Sequence, residues 1–548
     1  MTILAWTKGQ RIYVRTPYEF RDTMKNITGG RWDAKERAWH YPRSYRTLAE
    51  IMKSLPGPIG LSEDLMKLLE EGDPYEKAAS IKEATDLPNP PICKGNDWLH
   101  QRRAYWWAKD LPAVLLDMWM GSGKTRTAIN IVQNWYPQGN ARVLIVCPPN
   151  VVPVWEEQIA QHAAIPWKVT LLPAGKPIPK RAQVAEQAWQ STEPGAITAL
   201  VCNYEAIWRN ALGEWVLSKE WDVVVADESH HLRSPGSKQS LFFAKLHKRS
   251  KRRIGLSGTP LHDNPLDIYG QARFLCPEVF GTSFANFRAR YARMGGYGGY
   301  QVLGYQNLDE FYEKYKSFTF TVSADEALPD LPNIIFERRV CELNPEEQRV
   351  YASLENDLIA QIKDGYVTVN NVLTKLIKLQ QVTSGYVRDD GGIDRHVGDS
   401  KKQLLAEVLS DLPKNEPVVV FCRFTHDLDA VHEVAKADGR KSFELSRRRR
   451  ELEEWTNSGG GEVLAVQLKA GGEGVAMYRA RYAIDYSLSF SLGEYNQTRS
   501  RLQRPEQTRQ VISIALVAAG TVDEKIYKAL KQKEKVIESI MRGYGGNE

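Results

Sequence analysis

The chain has 548 residues, 42% of them hydrophobic and 26% charged, and a formal net charge of +6 at neutral pH. At about 150 residues per domain this length predicts three or four folding units, and the mildly basic charge permits a polyanionic partner without requiring one. The six cysteines are dispersed without a CxxC pair, which argues against a zinc site and against a disulfide framework. Since no apolar run approaches the roughly 18 residues of a membrane span and the N-terminus is too short and polar for a signal peptide, we expect an intracellular protein without a membrane anchor.

Residues 1–58 have the pattern of a small α+β module. QRIYVRT alternates like a strand, RWDAKERAWHYP is typical of two strands around a turn, and a helical spacing follows until Pro56. Trp32 and Trp39 are either aromatic platforms for nucleic acid or parts of a small core. Residues 59–94, which end in a proline-rich break, are predicted to be a linker.

A phosphate-binding loop is predicted at DMWMGSGKT, after the apolar run AVLL. Gly121 and Gly123 allow the backbone around Ser122 to approach a phosphate closely, and Lys124 and Thr125 provide an ammonium group and a Mg²⁺-binding hydroxyl. A glycine-rich turn without a ligand is the alternative for these residues taken alone. The motifs downstream in the chain favour nucleotide binding.

Residues 95–285 alternate between apolar runs and amphipathic helices, which predicts a parallel sheet covered on both faces. The apolar run VVVA ends in two adjacent carboxylates, Asp227 and Glu228, whose mutual repulsion a cation would relieve. Asp227 is therefore expected to hold Mg²⁺, and Glu228 to orient and deprotonate the attacking water. His230 is expected to link this pair to the following cluster, in which Ser257 and Thr259 lie.

Residues 286–398 interrupt the alternation and predict a helical interlobe region that contains a hairpin rich in glycine and tyrosine. Residues 399–548 repeat the strand pattern and predict a second parallel-sheet lobe. Within QTRSRLQRPEQ, Arg501 and Arg504 are three residues apart, which predicts a shared helix face. Two guanidinium groups on one face could meet a γ-phosphate as arginine fingers, the alternative being a solvated basic face.

The motifs follow one another in the order and spacing of a known family: LHQRRA, DMWMGSGKT, LIVCPPNVVPVW, LVCNYE, DESHHLRSPGSK, GLSGTPLHDNPLDIYG, VVVFCRFTHDLD, QLKAGGEGV and QTRSRLQRPEQ. Over about residues 97–535 the series resembles superfamily 2 helicases, specifically the Swi/Snf-type DNA-dependent ATPases. The resemblance implies two tandem RecA-like lobes that bind ATP and Mg²⁺ between them and double-stranded DNA across their faces. The stretch ITGGRWDAKERAWHYP resembles the HARP module of annealing helicases.

The resemblance also assigns roles to individual residues. It places Gln101 at the adenine, Arg501 and Arg504 at the γ-phosphate, and Gly472 and Gly474 in the segment that couples nucleotide to DNA. Departures from the family pattern occur at two positions: Trp119 replaces an acidic residue and Gln503 replaces the usual histidine. Neither departure removes a catalytic charge.

The leading hypothesis is an ATP-dependent motor that translocates on double-stranded DNA, and that remodels forks or anneals strands if the N-terminal module is HARP-like. We expect a compact, monomeric bacterial or phage motor, cytoplasmic and associated with the nucleoid, or nuclear in a eukaryote. A strand-separating DNA or RNA helicase, with the hairpin near residues 295–305 as its pin, is a related alternative. An ATP-binding DNA clamp without productive turnover is the alternative from another class.

Two basic runs, residues 248–253 and 447–450, either contact DNA or are solvated faces, or import signals in a nucleus. The family pattern favours the loops after Cys147 and Asn203 for DNA contact.

Overall fold

The structure, a computed structural model, divides into two compact units, the first built from residues up to 327 together with those from 537 onward, and the second from residues 328–536. The described residues are 3–172, 175–296, 301–327, 329, 332–363, 369–388, 393–468, 477–504 and 507–542, with only the backbone described for 357–363, 369–373 and 538–542. Among the helices so described, none combines the length and the apolar character that crossing a membrane requires.

The first unit begins with a five-stranded sheet covered on one face by helices, which we call the N-terminal module. Its strands occur in the order β3-β4-β2-β1-β5, and only β5 runs parallel to its neighbour. They are β1 (Ile3–Lys8), β2 (Arg11–Arg15), β3 (Arg31–Asp33), β4 (Ala38–Pro42) and β5 (Ile59–Leu61). The helices are α1 (Arg21–Asn26), α2 (Tyr45–Ser54) and α3 (Glu63–Glu71).

The boundary predicted at residue 58 is wrong, because the stretch after it completes the module. Strand β5 pairs with β1, and Leu65 of α3 is fully buried in the module core. The prolines at 56 and 58 end a helix but do not end the domain. The rest of the predicted linker packs on the following lobe, where the Tyr75 hydroxyl donates to the Ala113 carbonyl at 2.7 Å.

A seven-stranded, fully parallel sheet forms lobe 1, in the order β14-β6-β11-β10-β7-β9-β8. Its strands are β6 (Ala113–Met118), β7 (Arg142–Cys147), β8 (Trp167–Leu171), β9 (Ile197–Asn203), β10 (Trp221–Asp227), β11 (Ser250–Ser257) and, beyond the hairpin β12 (Ala292–Gly295) and β13 (Gln301–Tyr305), β14 (Thr319–Val322). The continuous apolar runs predicted strands that are buried on both faces of the sheet. The structure agrees, because every residue of β6 and β9 is buried.

Helices cover both faces of this sheet. They are α4 (Pro74–Ala78), α5 (Leu99–Ala108), α6 (Lys124–Trp135), α7 (Val152–His162), α8 (Ile178–Gln190), α9 (Tyr204–Ile207), α10 (Asn210–Ser218), α11 (Lys238–Leu246), α12 (Ile268–Leu275), α13 (Pro277–Phe280), α14 (Phe284–Tyr291), α15 (Leu308–Phe318) and α16 (Ala324–Ala327).

The predicted boundary at residue 286 is also wrong. Strand β14 pairs in parallel with β6, and the Trp119 amide donates to the Val322 carbonyl at 3.0 Å. Residues up to 327 therefore belong to lobe 1. The predicted hairpin is confirmed as the antiparallel pair of β12 and β13.

The second unit is a six-stranded parallel sheet in the order β15-β22-β21-β18-β20-β19, with a small antiparallel pair beside it. Its strands are β15 (Ile335–Cys341), β16 (Tyr386–Arg388), β17 (Asp394–His396), β18 (Val418–Cys422), β19 (Ser442–Leu445), β20 (Val463–Gln467), β21 (Tyr482–Asp485) and β22 (Ile512–Ala518). The helices are α17 (Pro345–Lys363), α18 (Val369–Thr383), α19 (Ser400–Asp411), α20 (Thr425–Ala437), α21 (Leu452–Asn457), α22 (Leu492–Arg499) and α23 (Val522–Arg542). The predicted fold class, two parallel-sheet lobes with a small α+β module before them, is confirmed.

Candidate nucleotide-binding and catalytic site

The predicted phosphate loop connects β6 to α6. Gly121 and Gly123 both have left-handed backbone angles, with φ of 85° and 80°, and Gly123 caps the helix. A Cβ atom at Gly123 would lie 2.1 Å from the Gln101 amide nitrogen, so that glycine is required by space as well as by conformation. Lys124, the first residue of α6, donates to the Met118 carbonyl at 2.9 Å across the loop.

Two side chains of α5 brace this loop from beneath. Gln101 donates from Nε2 to the Ser122 carbonyl at 2.9 Å and accepts from the Trp98 amide at 3.0 Å, while His100 Nε2 lies 2.9 Å from the same Ser122 carbonyl. Both side chains are buried. The contact fixes the loop against the helix that precedes β6, and the assignment of Gln101 to the adenine stays a prediction.

Asp227 is the last residue of β10, at the carboxyl edge of the lobe 1 sheet, and it is buried. Its Oδ2 atom accepts from Trp155 Nε1 at 2.9 Å, and its backbone carbonyl accepts from the Tyr204 hydroxyl at 2.8 Å. Trp155 therefore orients the carboxylate, and Tyr204 fixes the backbone that carries it.

Glu228 has a φ of 49°, a left-handed conformation that is uncommon for a residue with a side chain. This turn ends the strand and places Glu228 Oε2 3.2 Å from His230 Nδ1. The same nitrogen lies 3.3 Å from Ser257 Oγ, which in turn accepts from the Thr259 amide at 3.1 Å. The structure thus brings together, through the predicted histidine, the acidic pair and the serine-threonine cluster that are well separated in the sequence.

The two adjacent carboxylates differ in electrostatic environment. Burial, and then the neighbouring Glu228 charge, raise the pKa of Asp227. Burial acts in the same sense on Glu228, but its contact with His230 and the charge of Lys124 prevail and lower its pKa. The two carboxylates are therefore coupled, because the charge of each affects the proton affinity of the other.

A third carboxyl group, which the sequence did not single out, lies at the end of β6. Asp117 Oδ2 accepts from the Tyr315 hydroxyl at 2.6 Å, and burial raises the pKa of Asp117 to about 6 against the opposing effects of Tyr315 and Lys124. Tyr315 lies on α15, in the region predicted to lie between the lobes. In the sequence Tyr315 is one aromatic residue among polar ones, and that pattern does not show that it contacts Asp117.

The residues present fit Mg²⁺ and a polyphosphate. Asp227 and Thr125 supply oxygen atoms, the ligand type that Mg²⁺ prefers, and Lys124 with the N-terminus of α6 suits phosphate. The buried hydroxyls of Ser122 and Thr259 have no hydrogen-bond partner within the described part of the chain. Both belong to the two loops that carry the predicted site, so a ligand that accepts or donates hydrogen bonds there would satisfy them.

The predicted arginine fingers lie in the second unit, but not on a helix face. Helix α22 ends at Arg499, and residues 501–502 form a turn, so the premise that Arg501 and Arg504 share a helix face is wrong. Arg501 is buried, with its carbonyl accepting from the Met477 amide at 2.9 Å. Gly472 and Gly474 lie outside the described residues.

Arg499 shows why a spacing of arginines does not define a finger. It forms a buried ion pair with Asp485 and its guanidinium carbon lies 3.6 Å from the centre of the Tyr495 ring. This arginine therefore supports the core of the second unit.

Of the regions predicted to contact DNA, the structure supports some better than others. Pro149 and Asn150, after β7, are exposed, whereas the stretch after Asn203 is the short helix α9 and not a loop. In the second basic run, Arg448 pairs with Asp429 at 2.9 Å and with Glu444 at 2.9 Å. That arginine is largely balanced by carboxylates of its own lobe.

Gly123→Ala should weaken ATP binding at least tenfold, because the added methyl meets the Gln101 amide and the backbone angle becomes strained. Gly195→Ala is the matched control: its φ is 79°, but a Cβ there has nothing within 4 Å. Calorimetric titration of both variants with ATP compares them, and parent-like affinity in Gly123→Ala would contradict the role of this loop.

Comparison with known families identifies two regions of the chain. Residues 95–385 match the SNF2-related domain, and residues 400–506 match the helicase conserved C-terminal domain. An uncharacterized ATP-dependent helicase of Mycoplasma genitalium is 22% identical over 433 residues, which is 77% of this chain and 40% of that protein. The putative protein p41 of Acyrthosiphon pisum secondary endosymbiont phage 1 is 24% identical over 452 residues, 77% of this chain and 93% of that protein.

Two further likenesses are with a curated protein and a solved structure. The DNA annealing helicase and endonuclease ZRANB3 of Bos taurus is 24% identical over 440 residues, 77% of this chain and 38% of that protein. The solved structure, the Sulfolobus solfataricus SWI2/SNF2 ATPase core in complex with dsDNA, has a TM-score of 0.39 and 22% identity and covers 83% of this chain and 95% of that one.

The chain thus spans about 40% of the length of the Mycoplasma helicase and nearly all of the phage protein. The SNF2-related match alone covers more than half of the chain. The protein therefore belongs to the SNF2-related family of helicase-like enzymes that use ATP.

Proposed function

We propose that this protein hydrolyses Mg-ATP to translocate along double-stranded DNA. The observation that carries the proposal is the oriented acidic pair beside the phosphate loop, with Asp227 fixed by two aromatic donors and Glu228 turned toward His230. A site that only binds ATP has no use for a second carboxylate in a strained conformation. The clamp alternative therefore has less support.

Four site residues of lobe 1 have proposed parts in the reaction. Lys124 and the N-terminus of α6 bind the β- and γ-phosphates, and Thr125 and Asp227 would hold Mg²⁺. The ion would supply positive charge that neutralises the phosphates there. Glu228 orients the attacking water and accepts its proton.

Coupling of hydrolysis to movement requires contacts beyond the phosphate loop. Contacts run from Glu228 through His230 and Ser257 to Thr259. Loss of the γ-phosphate beside Glu228 would therefore change the contacts of the loop after β11. Arg501 and Arg504 are assigned to the γ-phosphate in the closed state. Gly472 and Gly474 are assigned to coupling.

Duplex DNA is proposed as the track because several lines converge on it. The bovine relative is named a DNA annealing helicase, and the Swi/Snf-type motif series implies a duplex-dependent motor. Exposed Pro149 and Asn150 offer a backbone-binding loop at the carboxyl edge of the sheet. We further propose that the DNA is forked or branched and that the motor is a monomer. It would act at the nucleoid of a bacterial cell, or in the nucleus of a eukaryote.

A strand-separating helicase is the second candidate, and one observation favours it. The hairpin of β12 and β13 exposes two apolar side chains, Val302 at 37% and Leu303 at 62%. Exposed apolar residues at a hairpin can wedge between bases.

Glu228→Gln should keep the affinity for ATP and lower kcat by about 10²–10⁴, because the amide retains the shape but cannot accept a proton. Lys124→Ala should instead weaken ATP binding. Steady-state hydrolysis and ATP titration separate the two effects. Glu157→Gln on the exposed face of α7 is the control, and hydrolysis at the parent rate in Glu228→Gln would refute the assignment of the base.

Translocation and strand separation predict different products. On a blunt duplex that carries a triplex-forming strand, the motor should release the third strand only with hydrolysable ATP, and Leu303→Ala should do so at the parent rate. A forked duplex should stay paired. The helicase would replace the translocase if the parent unwinds the fork, if Leu303→Ala abolishes that unwinding, and if no third strand is released from the triplex.

A further inference from the structure

A cavity of about 930 Å³ lies between the N-terminal module and lobe 1. The module lines it with Lys8, Arg11 and Arg31, and lobe 1 with Lys245, Lys248 and Arg249. Among the described residues that line it, none is Asp or Glu. We call it the composite cavity, because neither part forms it alone.

Part of this positive charge is not balanced by neighbouring carboxylates. Lys8 pairs with Glu36 and Arg249 with Glu220, so these two are partly neutralised. Within the described part of the chain, however, no carboxylate pairs with Lys248. Burial, and then the charges of Arg11 and Arg31, lower the pKa of Lys248, which shows that the cations of the two parts act on one another.

The face of the module that lines the cavity also carries aromatic rings. Cross-strand pairing places Trp6 beside Tyr13 and Tyr13 beside His40, with ring centres 5.8 and 5.6 Å apart. Arg31 is the cross-strand neighbour of His40. The opposite face of the sheet holds the apolar core, to which Trp39 belongs as a partly buried member. Tyr13 is buried on this face, and Trp6 and His40 are half-buried. Basic residues interleaved with rings on a sheet face are typical of surfaces that bind single-stranded nucleic acid.

The composite cavity is separate from the nucleotide site. Lys248 and Arg249 directly precede β11, whereas Ser257, which contacts His230, ends it. The seven residue steps of this strand span about 23 Å at 3.3 Å each. The cavity is therefore at the amino edge of the lobe 1 sheet, and the acidic pair is at its carboxyl edge.

We propose that the composite cavity is a second nucleic-acid site, which binds the phosphate backbone of a single strand. Its volume is that of a ligand pocket, about 300–1,000 Å³, which admits a few nucleotides of a flexible strand but not the body of a double helix. Cations from two folded parts, spread along the cavity, suit a chain of phosphates better than one phosphate group. The site goes beyond the proposed motor, since it places a strand where the motor does not act.

Binding of a fluorescein-labelled oligothymidylate to the full chain tests this site, measured by anisotropy without nucleotide and with excess unlabelled blunt duplex to occupy the motor. Lys245→Ala/Lys248→Ala should weaken strand binding about tenfold. Each phosphate contact with a single strand contributes about 0.7 to the magnitude of the slope of log K, the binding constant, against log salt. The loss of two contacts should therefore also lower that magnitude by about 1.4.

Lys53→Ala/Lys67→Ala removes the same charge from exposed positions of α2 and α3 on the other side of the module sheet, and it should change the affinity less than twofold. Thermal unfolding verifies that both double variants fold. Three results would each overturn the proposal. The two double variants could bind the strand with equal affinity, blunt duplex could displace the strand, or tripolyphosphate could displace it as efficiently as unlabelled strand does. The parent's ATP hydrolysis is measured separately, so a failure of the motor proposal leaves this result interpretable.

Discussion

Burial of three carboxyl groups near one ammonium group is the constraint on which lobe 1 depends. Asp117 and Asp227 are buried and Glu228 is half-buried, and the charge of Lys124 acts on all three. Uncompensated burial of such groups is costly, so each has a specific partner: Tyr315, Trp155 and His230 respectively. These partners come from three different connections, and the arrangement of the three carboxyl groups therefore requires the whole lobe to be folded.

The parallel sheet makes this convergence possible. Strands β6, β11 and β10 are adjacent, and their register aligns Asp117 with Ser257 and Asp227 with Leu256. Residues more than a hundred positions apart thus end at one edge, where ligands of α/β sheets bind. The same geometry puts the residues that precede β11 at the opposite edge, where the N-terminal module packs and the composite cavity forms. One strand, β11, consequently runs from the basic residues of the composite cavity to the edge that carries the proposed nucleotide site.

The sequence predicted the features that rest on local chemistry. The glycines of the phosphate loop were recognisable from their spacing around Lys124. The apolar run before Asp227 and the central strands of both lobes carried strong signals because they are buried on both faces. Edge strands were missed for the opposite reason: β15 is largely exposed and β5 has three residues, so neither gives a periodic apolar pattern. The spacing of Arg501 and Arg504 fits a helix and a turn equally well. Partners such as Trp155 and Tyr315 depend on tertiary contacts, which one sequence does not display.

Steady-state ATP hydrolysis in the presence of blunt duplex DNA, single-stranded DNA, RNA or no nucleic acid tests the account most directly. Lobe 1 contains the charged groups proposed for ATP hydrolysis, but in a motor the rate of hydrolysis depends on the bound DNA. The account predicts slow hydrolysis alone and strong stimulation by blunt duplex at low salt, weakening as salt rises. Stimulation by single strands or RNA only, or equal rates in all four conditions, would contradict a duplex translocase.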